Sequence, residues 1–114
     1  MATTSSPTHL PSIEPHLRQE AGRELQATLI DILDLALVGK QLHWSVVGPD
    51  FRSLHLQLDE LVDAWRELGD RVAERAVMLG VSPDGRAATI AEHTPFDATE
   101  IGRASCRERV YGLV

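Results

Sequence analysis

The chain has 114 residues, 43% of them hydrophobic and 25% charged, with a formal net charge of −6, which is the make-up of one small globular domain. No apolar run approaches the ~20 residues of a membrane span, and the opening MATTSSPTHLPSIEP has neither the basic nor the apolar part of a secretory signal, so the cytoplasm is the expected compartment. The acidic balance gives no overall attraction to nucleic acid, and the single cysteine, Cys106, excludes an intrachain disulfide and a thiolate metal cluster.

Residues 1–16 are rich in Thr, Ser and Pro, hold no Lys or Arg, and read as a disordered arm. From about Leu17 the spacing of Leu25, Leu29, Ile32, Leu33, Ala36 and Leu42 predicts a helix to about Val46. Val47-Gly48-Pro49-Asp50 breaks it, and Asp50 is placed to cap the next helix with its side chain. A second helix is predicted from about Phe51 to Leu79. Its stripe is Leu54, Leu58, Leu61, Trp65, Leu68, Val72, Ala76 and Leu79, and Gly80 fits its stop. Ser82-Pro83-Asp84-Gly85 is a further turn, residues 86–92 suit a short helix, Thr94-Pro95 would end it, and a third helix could begin near Asp97. No repeat and no alternating strand pattern is present, so the fold class is all-α. The stretch IGRASCRERVY, within residues 101–114, resembles a translated sequencing-library adapter. It is set aside as a non-native tail, the alternative being a basic helix end. The expected division is an arm over 1–16, a helical domain over 17–100 and this tail.

Five residues carry candidate chemistry: His43, His55, Asp59, Asp70 and Glu74. With His55 at zero and ~100° per residue, Asp59, Asp70 and Glu74 fall at about 40°, 60° and 100°, on one strip beside the leucine stripe. Like charges four apart, such as Asp70 and Glu74, oppose each other on a bare helix, and a bound cation removes the conflict. Imidazole and carboxylate donors suit iron, manganese or zinc. The His55/Asp59 and Asp70/Glu74 pairs lie roughly 22 Å apart along the helix, far beyond metal–ligand bonds of ~2.0–2.2 Å. One chain therefore cannot bring both pairs to one ion. Two copies packed antiparallel about a two-fold axis can, and they make two identical sites.

Plainer readings stand beside these. His43 also fits a helix C-terminal cap, His55 a half-buried core histidine, and the three acids a solvated face. Asp63 and Glu67 look like surface charges, and Arg66 is either an ion-pair partner across a dimer or surface. Trp44 and Trp65 read as core on pattern alone, Phe51 as a packing residue, and His9, His16 and His93 are assigned nothing.

The segment HWSVVGPDFRSLHLQLDE, followed by GDRVAERAVMLGVSP, resembles the signature of the Dps family (DNA-binding proteins from starved cells), the miniferritins. The likeness covers about residues 17–100. It implies a ferritin-like four-helix bundle, of which two long helices, a short connecting helix and the start of the third would be present. It implies that His43, His55 and Asp59 of one subunit share a catalytic iron site with Asp70 and Glu74 of its dimer mate. Trp44 would be a near-site aromatic that intercepts oxidising equivalents. The family forms hollow dodecamers that oxidise Fe(II), preferably with hydrogen peroxide, store ferric mineral, and protect cell and DNA under stress or starvation. The Glu-x-x-His motif of full-size ferritin-like di-iron sites does not occur in the chain. DNA binding, with nucleoid association, is the alternative the family name carries, but the arm lacks the basic residues that phosphate neutralisation needs. An inactive helical fragment is the remaining alternative.

Overall fold

A computed structural model describes residues 12–96. Among them lie three helices and no strand: α1 (Pro15–Ser45), α2 (Phe51–Met78) and α3 (Ala87–His93). The third helix expected from Asp97, most of the arm and the tail of 101–114 lie outside the described residues. The all-α class and the two long helices are as expected. α1 starts two residues before Leu17 because Pro15 takes its first position, where proline's missing N–H and preset φ cost nothing.

α1 and α2 form an antiparallel pair joined by Val46–Asp50. His43 near the end of α1 meets His55 near the start of α2, and Gly22 early in α1 lies against Val81 just beyond α2. The seam is built from small residues. A Cβ on Gly39 would lie 2.7 Å from Trp65 and 2.9 Å from Val62, so only glycine lets α2 come this close. On α2 the buried line is Val62, Gly69 and Ala76. Seven-residue steps keep these three within about 40° of one another.

This line corrects the predicted stripe in part: Ala76 and Trp65 lie at the seam, but its leucines do not centre on it. Leu61 and Leu68 remain 41% and 44% exposed. Leu54, Leu61, Leu68 and Val72 lie about 60–100° to one side of the seam. His55, Asp59, Asp70 and Glu74 lie about 40–140° to the other. Among the described residues nothing covers Leu61 and Leu68 on this flank.

The end of α2 follows the glycine stop in detail. Gly80 has φ of 77°, its N–H donates to Val77, and the Val81 N–H donates to Ala76, the paired bonds of a Schellman ending. At the start of α2, Asp50 occupies the cap position, but its side chain makes no capping bond. The backbone does the work, with Phe51 N–H donating to Gly48 and Leu54 N–H to Asp50. The following turn is tied to α1 by the Gln26 amide, which donates to the Asp84 carbonyl at 2.8 Å and accepts from its N–H at 2.9 Å. The Asp84 carboxylate then accepts from Arg86 and Thr89, which starts α3. These donors hold Asp84 far below the usual carboxylate range. Buried Asp34 of α1 accepts from the Thr94 hydroxyl just past α3. No helix among the described residues is long and apolar enough to cross a membrane.

Candidate metal centre

Where α1 ends, its last carbonyls have no partner inside the helix. One of them, that of His43, accepts from Nδ1 of His55 at 2.8 Å, and Nδ1 of His43 donates to the His55 carbonyl at 2.6 Å. The two rings stack, with centroids 3.5 Å apart and planes 18° from parallel. Phe51 stacks on the outer face of His55, with centroids 4.8 Å apart. A carbonyl oxygen only accepts, so each Nδ1 carries the proton. In the neutral ring the lone pair is then on Nε2, the form in which histidine binds metals.

Asp59 lies one turn beyond His55. Its Oδ1 is 3.9 Å from Nε2 of His43, within the ~4.2 Å that a single ion can bridge with bonds of ~2.0–2.2 Å. The same oxygen accepts from the ammonium of Lys40. That hydrogen bond holds the Asp59 carboxyl below its ordinary value. Partial burial opposes it, and the Lys40 charge and the two imidazoles add smaller downward pulls. Lys40 was not singled out in the sequence. The available signal was its place three residues before His43, on the same side of α1.

The remaining candidates are apart from this cluster. Asp70 and Glu74 are exposed on the same flank of α2, toward its other end. Among the described residues, no three His, Cys, Asp or Glu side chains of one chain converge to hold a metal ion. Trp44 is not core: it is 67% exposed, beside His43. Trp65 is half-buried and packs on Gly39. Phe51, 43% exposed, packs chiefly on an imidazole. His43 itself is buried, in the last turn of α1.

Comparison with known proteins gives the chain relatives. A ferritin-like domain family model matches residues 22–110. The DNA protection during starvation protein of Mycolicibacterium smegmatis is 32% identical over 104 residues, covering 91% of this chain and 57% of that protein. The fine tangled pili major subunit of Haemophilus ducreyi is 39% identical over 95 residues, covering 83% and 49%. A solved structure of Mycobacterium smegmatis Dps superposes with a TM-score of 0.75 at 35% identity, covering 78% of this chain and 54% of that one. The chain thus spans about half the length of the relatives it matches.

Proposed function

The chain belongs to the ferritin-like family, among its Dps miniferritins, and from that premise we propose that it takes Fe(II) as substrate, oxidises it with hydrogen peroxide at a site shared by two subunits, and stores the ferric product. The observation that carries this reading is the cluster at the α1–α2 turn. His43 and His55 have their Nδ1 atoms engaged by backbone carbonyls, with Asp59 alongside. Nitrogen and carboxylate donors fit iron, and carboxylates favour the harder ferric product.

His43, His55 and Asp59 of one subunit form one half of the site, and Asp70 and Glu74 of the partner form the other. A bound cation takes over the counter-charge that Lys40 gives Asp59 in the single chain. Two ferrous ions each give one electron to one peroxide, whose O–O bond breaks. With two protons, both oxygens leave as water, and no hydroxyl radical is released. Trp44, exposed beside His43, is placed to intercept a stray oxidising equivalent. Assembly of the dimers into a closed dodecamer in the cytoplasm completes the proposal.

His55→Ala and Asp59→Ala are expected to abolish peroxide-driven Fe(II) oxidation, followed by ferric absorbance, while the exposed Glu60→Gln leaves it unchanged. Oxidation at the original rate in both alanine variants would remove these ligands from the site. Relatives named for DNA protection during starvation favour a second reading, in which the protein protects DNA by binding it. Residues 1–16 offer no Lys or Arg for that contact, so a gel shift at low salt is expected to show no retarded complex. A shift that weakens steeply with salt would establish the second reading.

A further inference from the structure

The shared site sets a register on α2 that reaches beyond its ligands. His55 is to face Glu74, and Asp59 is to face Asp70, and the numbers in each pair add to 129. An antiparallel two-fold pair of helices sets each residue of the shared face near the one that completes the same sum, so the axis passes at the level of Ala64 and Trp65. The ligands are members of two rows at spacing four. One row is Phe51, His55, Asp59 and Asp63, and the other is Arg66, Asp70, Glu74 and Met78. Rows at this spacing form the ridges with which two helices interlock, commonly at about −50°. His55, Asp59 and Asp63 of the first row face Glu74, Asp70 and Arg66 of the second. The innermost pair is Asp63 with Arg66, of opposite charge.

We infer that Asp63 and the partner subunit's Arg66 form an ion pair that occurs twice about the two-fold axis and sets the register in which the two half-sites meet. The inference rests on the shared-site reading for its register, and on charge complementarity for its partner, a second copy of this chain. Both side chains are exposed, and neither takes part in an ion pair among the described residues. A slip of one turn in either direction sets Asp63 against Asp70 or Val62, so the pairing is lost or turned repulsive. The ligand pairs cannot enforce the register before a cation arrives, because Asp59 and Asp70 repel. The central pair supplies an attraction that is present without metal, at the position where a slip changes the charge match.

The test is charge reversal in the whole chain, with dimer dissociation measured by sedimentation in EDTA and Zn(II) uptake measured separately as a redox-inert probe. Asp63→Arg and Arg66→Asp each set like charges together twice and are expected to weaken the dimer about tenfold or more. Helicity, read by circular dichroism, is unchanged because both sites are exposed. The double variant restores opposite charges and is expected to recover both dimer affinity and Zn(II) uptake. Mixing the two single variants is expected to yield heterodimer in preference to either homodimer, since both cross-axis contacts then attract. Single reversals that leave the dimer unchanged, or a double variant as weak as the singles, would overturn the inference. Recovery of the dimer without Zn(II) uptake would support the ion pair while removing the metal site, so the two readings fail separately.

Discussion

Two backbone carbonyls decide which nitrogen each imidazole offers. Because His43 and His55 donate through Nδ1 to each other's main chain, the rings are oriented before any ion arrives. Lys40 completes the cluster by holding Asp59 ionised. A carboxyl whose folded-state pKa is depressed adds stability that is present above its unfolded value, near 3.9, and is lost as pH falls through the lower folded value. Lys40→Met is therefore expected to raise the Asp59 pKa toward that ordinary value and to remove its share of this acid-dependent stability. NMR titration of the Asp59 carboxyl checks it, and an unmoved midpoint would mean that Lys40 is not its counter-ion. His43, His55 and Asp59 were legible because their residue types and spacing are unusual together. Lys40 was not, since a lysine on a helix normally reads as solvated, and only the way α1 meets α2 brings its ammonium to Asp59. Asp50 misled for a related reason: residue type marked the cap position, but backbone donors filled the role.

The helix ends were readable to within two residues, because Pro15, the Gly48-Pro49 turn and Gly80 act through local backbone geometry that needs no tertiary partner. The face of α2 against α1 was not readable in the same way. A leucine stripe was expected there, and its Ala76 and Trp65 do lie at the seam, but the buried line also takes in Val62 and Gly69 while Leu61 and Leu68 stay exposed. The space over Gly39 is filled by Trp65 and Val62, and the space at Gly69 by Ile32, Leu33 and Leu29 of α1. Gly39→Ala is expected to lower stability by about 1–3 kcal/mol through overpacking against Trp65 and Val62, and to separate the stacked imidazoles one turn away. Urea unfolding measures the first effect and imidazole NMR shifts the second. A variant as stable as the parent would show that the seam has room to relax.

The leucine flank and the strip of proposed ligands lie on opposite sides of the seam. One is suited to further helices of a bundle and the other to a second copy. With Leu61 and Leu68 open, the described residues present an apolar surface of the kind that drives association. Leu61→Lys with Leu68→Lys is expected to reduce light scattering of the chain without reducing Zn(II) uptake, because the changed face is not the one that carries the ligands. Lost Zn(II) uptake would show that the two faces are not independent. The ferritin-like class was legible across this architecture from one signature segment. The leucine flank's role in the chain was not, because its covering partners are not among the described residues.

The proposed division of the ligands between two subunits is tested most directly by complementation. A chain carrying His55→Ala with Asp59→Ala is mixed with one carrying Asp70→Ala with Glu74→Ala, and peroxide-driven Fe(II) oxidation is measured before and after subunit exchange. Each variant alone is expected to be inactive. Random exchange makes half the dimers mixed, each with one intact site of two, so about a quarter of the parent activity is expected to return. No return of activity, with mixed dimers shown to have formed, would mean that the site is not shared between two copies.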